Sequence, residues 1–157
     1  MNALVIYDSQ YGNTEQIARV ISNMFSEFGQ ARAIRVDPTQ PVDFQGVDLL
    51  VLGCPTQGWR PTQTMQNFLV NVSPKSLKGL AVACFDTRFN KPRWMTGSAA
   101  RVMDKKLRGM GVLPTLPPES FFVAETEGPL ASGELERAAK WARVLREKIE
   151  MPHLAVR

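Results

Sequence analysis

Five short apolar runs alternate with stretches of helical periodicity along these 157 residues, and this alternation limits the possible folds more than any other feature. Each run is long enough for one strand and continuous enough for burial on both faces. Each intervening stretch is long enough to return the chain to a parallel neighbour. The pattern therefore predicts an α/β fold with an open, doubly wound parallel sheet. The predicted strands are ALVIY (3–7), ARAIRV (31–36), DLLVLGC (48–54), LAVACF (80–85) and ESFFVA (119–124).

Four helices are predicted from apolar residues that recur three and four positions apart. Trp141 follows the apolar stripe of the last helix and is therefore expected in the core. The helices are predicted to end at Gly29, to begin near Thr62, to run from about Ser98 to Gly111, and to span 132–150. The residues expected to face inward are Ile17, Val20, Ile21, Met24, Phe25, Phe28, Met65, Phe68, Leu69, Val102, Met103, Leu107, Leu135, Ala138, Ala142, Leu145 and Ile149.

The length and composition fit one globular domain, which we place at residues 1–150, with a tail at 151–157. No apolar run reaches the roughly 18 residues of a membrane span, and the N-terminus does not resemble a signal peptide. Cys54 and Cys84 form neither a disulfide framework nor the spacing of a zinc site, which fits a reducing compartment. We therefore expect a cytoplasmic protein. Cys54 is expected to be a small buried hydrophobe, and His153 to be solvated.

Positive charge is concentrated between Arg88 and Arg108, where seven basic residues stand against one acidic residue, Asp104. The whole chain has a net charge of +4, so the remainder is slightly acidic. Such a segment can attract an anionic partner, or it can be an ordinary solvated helix face. Neither repeated aromatics nor a nucleic-acid module accompanies the segment, and we expect no nucleic-acid binding.

Ligands of doubly wound sheets bind beyond the carboxyl ends of the strands, so the residues that follow the apolar runs carry the functional information. Three of these predicted loops are rich in glycine, hydroxyls or aromatics. They read DSQYGNT (8–14), PTQGWRP (55–61) and DTRFNKPRW (86–94).

The first of these loops joins a strand to a helix N-terminus, where unpaired amides and the helix dipole favour an anion. The amides from Gln10 to Thr14 are expected to supply most of the binding. Ser9 and Thr14 can add hydroxyls, and Gly12 lets the backbone approach the ligand closely. The alternative is a plain tight turn with Asn13 or Thr14 as the helix cap.

Other phosphate-binding loops are excluded by the residues that they require. The chain has no GxxxxGK[ST] motif of P-loop NTPases, and its first loop has one glycine rather than the GxGxxG of dinucleotide folds. A receiver domain would need an aspartate at the end of the third strand, where the chain has Gly53, Cys54 and Pro55. Asp37 precedes Pro38 and is expected to form a turn rather than to bind a ribose.

These motifs resemble those of the flavodoxin-like FMN-binding proteins, of the short-chain type. The family's phosphate loop reads roughly [ST]-x-[TY]-G-x-T, and residues 9–14 of this chain read SQYGNT. The segment GCPTQGWRP, followed by Phe68 and Leu69, is similar to the family pattern PT-x-G-x-x-P-x-x-x-x-x-FL beside the flavin ring. The resemblance covers the chain up to about residue 150. It implies a five-stranded sheet with strand order 2-1-3-4-5 and FMN as the cofactor.

The resemblance also implies which residues bind FMN. Residues 9–14 would hold the phosphate, the second loop would border the isoalloxazine ring, and the third loop would lie along the pyrimidine edge of that ring. A peptide bond near Gly58 would reorient when the flavin is reduced. Either Trp59 or Trp94 could stack on the ring, and the alternative for Trp59 is an exposed aromatic at a partner surface. The implied cofactor-binding residues are Ser9, Gln10, Tyr11, Gly12, Asn13, Thr14, Pro55, Thr56, Gln57, Gly58, Trp59, Asp86, Thr87, Arg88, Phe89 and Trp94.

Three functions remain open on the sequence. An electron carrier for a redox partner protein needs only to hold FMN and tune its potential, and we favour it because no set of catalytic side chains and no metal cluster is found. The alternative is an FMN-dependent NAD(P)H:quinone oxidoreductase, or a reductase of a similar acceptor. The third is a flavin-free interaction module of the same fold. Arg88, Lys91 and Arg93 depart from the acidic flavin edge of electron-shuttling flavodoxins. These cations would raise the flavin potential, and they could attract a nucleotide phosphate or an anionic quinone.

Overall fold

A five-stranded parallel sheet forms the centre of the protein, as a computed structural model shows; it describes residues 1–37 and 39–151. The strand order is β2-β1-β3-β4-β5, and each neighbouring pair runs parallel. The predicted doubly wound α/β fold and the implied strand order are confirmed. The strands are β1 (Asn2–Tyr7), β2 (Gln30–Arg35), β3 (Leu49–Pro55), β4 (Ala81–Phe89) and β5 (Glu119–Val123).

Helices cover both faces of this sheet. Because successive side chains of a strand point to opposite faces, β1 contributes to two separate cores. Leu4 and Ile6 pack with helices α2 and α4, whereas Ala3 and Val5 pack with helices α1 and α5. In the described residues the helices are α1 (Asn13–Ser26), α2 (Gln63–Asn71), α3 (Arg93–Thr96), α4 (Ala99–Gly109) and α5 (Glu134–Glu150), with a 3-10 turn at Pro74–Leu77.

The middle of the sheet is completely buried, which explains why its strands read as continuous apolar runs. Every residue of β3 from Leu49 to Cys54 is inaccessible to solvent. On the α1 and α5 side, Trp141 is 8% exposed and meets the rings of Phe85 and Phe121 edge-on, at centroid distances of 6.3 and 6.1 Å. The prediction that Trp141 lies in the core is confirmed.

Three residues that were predicted to face inward are exposed instead. Phe28 lies beyond the end of α1 and is 44% exposed, and its ring is covered by the Arg146 guanidinium at 3.4 Å from the ring centroid. Val102 and Leu135 are 41% and 38% exposed. The predictions were wrong at Val102 and Leu135 because α4 and α5 turn a narrower stripe toward the sheet than the spacing of their apolar residues indicated, and at Phe28 because α1 ends before this residue.

Strand β4 is longer than the apolar run LAVACF predicted. It continues from Asp86 through Phe89, because this part of the strand pairs along its length with β5. Ladder hydrogen bonds thus keep polar residues in the strand that periodicity placed in a loop. The short helix α3, which begins after Pro92, was not predicted.

The turn predicted at Asp37 is confirmed, since Asp37 Oδ1 accepts hydrogen bonds from the amide and the hydroxyl of Thr39 at 2.9 and 2.7 Å. None of the helices in the described ranges is long and apolar enough to cross a membrane. Residues 152–157, with the predicted solvated His153, lie outside the described residues.

Candidate functional site

A cleft of about 400 Å³ opens at the carboxyl ends of β1, β3 and β4. Its volume falls within the range of about 300 to 1,000 Å³ that small-molecule sites occupy. The position is the one that doubly wound sheets use for ligands, since the chain leaves β1 and β3 toward opposite faces. The lining residues are Ser9, Gln10, Tyr11, Asn13, Thr14, Pro55, Thr56, Gln57, Gly58, Trp59, Thr87, Arg88, Phe89, Met95, Thr96, Val123 and Thr126.

The first wall of the cleft is the loop between β1 and α1. Ser9 Oγ accepts hydrogen bonds from the amides of Gly12 and Glu15, at 3.1 and 3.4 Å, and so folds the loop around its own side chain. Gly12 has φ +90°, a left-handed conformation that favours glycine, and stands at the N-terminus of α1. The loop therefore reaches the helix without a capping side chain.

The same loop presents several free amides to the cleft. In the described part of the chain, the amides of Gln10, Tyr11, Asn13 and Thr14 donate no hydrogen bond. Neither Asn13 nor Thr14 caps the helix, because the Asn13 amide group donates to Glu127 O and the Thr14 hydroxyl contacts Thr87. Unpaired amides at a helix N-terminus, aided by the helix dipole, can bind an anion without a cationic side chain.

Hydroxyl groups tie this loop to the second and third loops. Thr14 Oγ1 lies 2.8 Å from Thr87 Oγ1, and the Thr56 amide donates to Thr87 O at 2.9 Å. Thr56 Oγ1 in turn accepts from the Ala99 amide at 3.0 Å. The chain of contacts holds α1, β4 and α4 in fixed positions around the cleft, so a ligand would meet walls that are already ordered.

The second loop is a two-residue hairpin turn that carries a tryptophan at its tip. Gln57 and Arg60 exchange backbone hydrogen bonds of 2.8 and 3.0 Å, and both residues between them have positive φ, +54° at Gly58 and +66° at Trp59. This is the arrangement of a type I′ turn. For a residue other than glycine, the left-handed backbone conformation costs about 1 to 3 kcal/mol. Surrounding contacts must therefore hold Trp59 in this conformation. The Gln57 side chain donates to that of Gln10 and closes the gap to the first loop.

Arg88 organises the third loop. Its Nε donates to Ser120 Oγ at 2.9 Å, and one terminal nitrogen donates to Lys91 O at 2.7 Å and to Thr96 Oγ1 at 3.1 Å. One guanidinium thus binds the loop before α3, the last residue of α3 and strand β5. Arg88 therefore fixes the position of α3 in addition to contributing a positive charge. As a result Met95 and Thr96 line the cleft, while Trp94 is 79% exposed and does not.

Asp86 lies beneath the third loop rather than in the cleft. It is completely buried, and its Oδ2 accepts from Ser98 Oγ at 2.5 Å and from the Ala100 amide at 3.0 Å. Burial raises the pKa of this carboxyl group above its usual value, and the two hydrogen bonds offset only part of the effect. Asp86 therefore fixes the N-terminus of α4.

Asp8 supports the first and second loops from behind. Its Oδ2 accepts from Thr62 Oγ1 at 2.5 Å, and its Oδ1 lies 3.5 Å from a guanidinium nitrogen of Arg35, which also donates to Ser9 O at 2.7 Å. Thr62 caps the N-terminus of α2, which begins near this residue as predicted, and the Thr62 amide donates to Cys54 Sγ at 3.1 Å. Burial raises the pKa of Cys54 to about 12, so the thiol stays protonated, and the prediction of a buried hydrophobe is confirmed.

The structure thus gathers the predicted site residues around one cleft, apart from Gly12, Asp86 and Trp94. Sequence reasoning missed four lining residues, which are Met95, Thr96, Val123 and Thr126. Met95 and Thr96 belong to the unpredicted helix α3, Val123 is the last residue of β5, and Thr126 follows that strand. Among the described residues, no cluster of histidine, cysteine and carboxylate side chains is arranged to hold a metal ion.

Comparison with known proteins agrees with this geometry. The family model of the flavodoxins matches residues 5–117, which include all three loops and extend from within β1 to beyond α4. The chain belongs to the flavodoxin family. Members of this family are typically FMN-binding electron carriers that donate electrons to redox protein partners.

Individual flavodoxins show how far the similarity extends. A flavodoxin of Megasphaera elsdenii is 29% identical over 104 residues, which cover 64% of this chain and 75% of that protein. Flavodoxin 1 of Bacillus cereus superposes with a TM-score of 0.76 at 20% identity, over 94% of this chain and 98% of its own. A flavodoxin from the domain Archaea gives 0.74 at 21% identity, over 96% and 99%. At these identities the structural matches show a shared fold.

The residues present fit FMN, the cofactor usual in this family. Four free amides at the start of α1 suit a phosphate, and no lysine or arginine stands within residues 9–14. Trp59 and Met95 offer apolar surface for a flat ring, and Thr56 and Thr87 offer polar groups beside it. The polar and apolar parts of the lining are thus distributed as the phosphate and the ring of FMN require.

Proposed function

We propose that this protein is an electron carrier that holds FMN in the cleft. The observation that supports the proposal is the pairing of two surfaces: a loop of unpaired amides at a helix N-terminus, and an apolar wall that includes Trp59 and Met95. A phosphate and an isoalloxazine ring match these surfaces in chemistry. Bound FMN supplies the electron-transfer chemistry, so the protein needs no catalytic side chain of its own.

Each wall of the cleft has its own role in binding FMN. The amides of Gln10, Tyr11, Asn13 and Thr14 bind the phosphate, and Ser9 shapes the loop that presents them. The hairpin turn at Gly58 and Trp59 borders the ring, and the peptide between residues of this turn can reorient because glycine tolerates either conformation. Thr87, Arg88 and Phe89 line the cleft as well, and their backbone would lie along another edge of the ring. Trp59, rather than Trp94, is the stacking candidate, because only Trp59 lines the cleft.

The charge around the cleft favours a reduced flavin that carries negative charge. Arg88 is held at the cleft wall, and Lys91 and Arg93 are exposed nearby. One positive charge at roughly 8 Å, at an effective dielectric of about 20, contributes about 2 kcal/mol before screening by salt, and exposed side chains contribute less. We therefore place the reduction potential of this carrier above that of a flavodoxin with an acidic flavin edge.

The proposal is tested by spectroscopy and by steady-state kinetics on the purified protein. A flavin absorption spectrum, or quenching of FMN fluorescence on titration, is the expected result. A carrier should oxidise NADH and NADPH negligibly without a partner reductase. Rapid turnover with either nucleotide and a quinone would instead identify an oxidoreductase, and failure to bind FMN would identify a flavin-free module. A cytoplasmic location is part of the proposal and is supported by the two buried free thiols.

A further inference from the structure

Three large apolar side chains stand exposed together at the mouth of the cleft. Trp59 is 57% exposed, Trp94 79% and Met95 44%. Trp94 and Met95 are neighbours in α3, and the backbone of Trp59 forms a bridge with Gly97, the residue that ends this helix. The bridge between Trp59 and Gly97 therefore brings the second loop, which carries Trp59, next to the short helix that carries Trp94 and Met95.

Positive charges border this apolar surface. Arg60 follows Trp59, and Lys91 and Arg93 flank the start of α3, and all three are exposed. Over the described ranges, no carboxylate lies within 4 Å of any of these three cations. Exposed carboxylates at Glu125 and Glu127 adjoin Thr126 on another side of the cleft. The charge on the tryptophan side of the cleft is thus available to a negatively charged partner.

We infer that Trp59, Arg60, Lys91, Arg93, Trp94 and Met95 form a docking surface, the tryptophan platform, for an acidic redox protein. The inference rests on the proposed function, because only a protein that holds FMN would exchange electrons through this surface. Tryptophan, methionine and arginine are the side chains enriched in protein interfaces, and tryptophan and arginine contribute most to binding energy. Unpaired cations around them attract an acidic partner and repel a basic one.

The position of Trp94 favours a macromolecule over a small anion. Because FMN would fill the cleft, a small anion could reach only its rim, and Trp94, which does not line the cleft, would stay exposed. A protein that covers the cleft mouth would bury Trp94 and Trp59 together. Electron-transfer complexes are among the smallest protein interfaces, with less than about 1,200 Å² buried, so they do not require an extended apolar face.

The test uses two redox proteins of opposite charge as probes. An acidic plant-type [2Fe–2S] ferredoxin, reduced beforehand, passes one electron from its cluster to the FMN-loaded protein, and stopped-flow absorbance gives the second-order rate constant. A basic c-type cytochrome serves as the opposite probe, receiving one electron from the reduced protein. We expect the ferredoxin rate to fall as ionic strength rises and the cytochrome rate to increase.

Two variants and a matched control locate the effect. Replacing three cations by glutamine in R60Q/K91Q/R93Q should lower the ferredoxin rate about tenfold at low salt and remove most of its salt dependence. Trp94→Ala should lower the rate while the salt dependence persists, since it removes apolar contact and no charge. The control K75Q/K78Q/K140Q removes three exposed cations elsewhere on the protein and should change neither quantity.

Calorimetric titration of oxidised ferredoxin into the FMN-loaded and the FMN-free protein separates this inference from the proposed function. Loss of FMN binding with ferredoxin binding retained would overturn the carrier and keep the platform as a protein-binding surface. A ferredoxin rate that rises with salt, or that R60Q/K91Q/R93Q leaves unchanged, would overturn the platform. The platform would also be overturned if that variant slowed reduction by NADPH and left ferredoxin unaffected, since the occupant would then be a dinucleotide.

Discussion

The backbone of Gly97 lies directly against Trp59, so that a Cβ added at Gly97 would stand 2.4 Å from both the Cα and the Cδ1 of Trp59. This contact joins the tip of the second loop to the end of α3. Gly97 thus packs against the backbone of Trp59, whose positive φ requires surrounding contacts to hold it.

Gly97→Ala should therefore separate the two loops and weaken FMN binding. The new methyl group collides with Trp59, and φ +69° at Gly97 is itself unfavourable for alanine, so we also expect a loss of about 1 to 3 kcal/mol in the free energy of unfolding. FMN fluorescence titration and urea unfolding measure the two effects. Gly109→Ala is the control, because a Cβ there meets nothing within 4 Å, and it should leave FMN affinity unchanged.

Removing the hydroxyls of the first loop should weaken FMN binding while the fold persists. Ser9→Ala leaves the amides of Gly12 and Glu15 without their acceptor, and Thr14→Ala breaks the contact with Thr87. Each change should cost about 1 to 3 kcal/mol of binding free energy, measured by FMN titration with circular dichroism as the check on folding. Ser76→Ala, an exposed serine on another surface, should have no effect. Unchanged affinity in S9A/T14A would contradict the assignment of this loop to the phosphate.

Neutralising Lys91 and Arg93 should lower the flavin reduction potential by tens of millivolts. Both side chains are exposed near the cleft, so they act mainly through charge, and the shift should shrink as salt is added. Spectroelectrochemical titration of K91Q/R93Q against the unchanged protein tests this. Arg88 is left out of the variant because its hydrogen bonds to Ser120 and Thr96 also hold the third loop. A potential that does not move would show that the two charges lie too far from the ring to matter.

Asp86 should make the protein less stable as pH rises through the acidic range. Burial raises the pKa of Asp86 in the folded state above its unfolded value. The folded state therefore holds a proton that the unfolded state has released, and stability falls from the unfolded pKa up to the folded one. At a pH above both pKa values, the free energy of unfolding is lower by about 1.4 kcal/mol for each pH unit that separates the folded pKa from the unfolded pKa. Relative to the unchanged protein, Asp86→Asn should gain stability across the window and then level off, as measured by urea unfolding between pH 4 and pH 8. A stability difference that is the same at every pH would contradict this.

The two cysteines should be unreactive in the folded protein. Burial raises the pKa of Cys54 to about 12 and raises that of Cys84 as well, so the reactive thiolate form is scarce at pH 8. Mass spectrometry after treatment with iodoacetamide should detect no label under native conditions and two labels in guanidinium chloride. Rapid native labelling of Cys54 would mean that the contact between Cys54 and the Thr62 amide opens readily.

Periodicity predicted the fold class of this chain, because a doubly wound parallel sheet has a simple sequence pattern, whereas the strand order was implied by the family resemblance. Each buried strand, such as β3, must be apolar at every position, and each covering helix must carry a stripe. The end of β4 was not predicted because backbone pairing with Ser120 keeps Asp86 in the sheet, and backbone pairing leaves no pattern in the side chains. The position of Phe28 was not predicted because its ring packs under the guanidinium of Arg146, which is more than a hundred residues away in the chain.

The site was less predictable than the fold for a similar reason. Residues 9–14 are recognisable in sequence because one short segment forms a complete wall of the cleft. Met95 and Val123 reach the cleft through the geometry of α3 and β5, and their neighbours in sequence give no sign of it. The double role of Arg88, as charge and as the support of the third loop, depends on two nearby partners, Lys91 and Thr96, together with Ser120 on a different strand, and it appears only in the structure.

The amides at the start of α1 have an evolutionary consequence. Every residue except proline carries a peptide N–H, so the donors of Gln10, Tyr11 and Asn13 survive almost any exchange of their side chains. Selection on this wall acts on few positions, chiefly Gly12, whose conformation few residues adopt, and Ser9, whose hydroxyl closes the loop. Descendants of such a chain can change much of this segment and keep the same array of donors. The anion site can therefore outlast the sequence motif by which it is found.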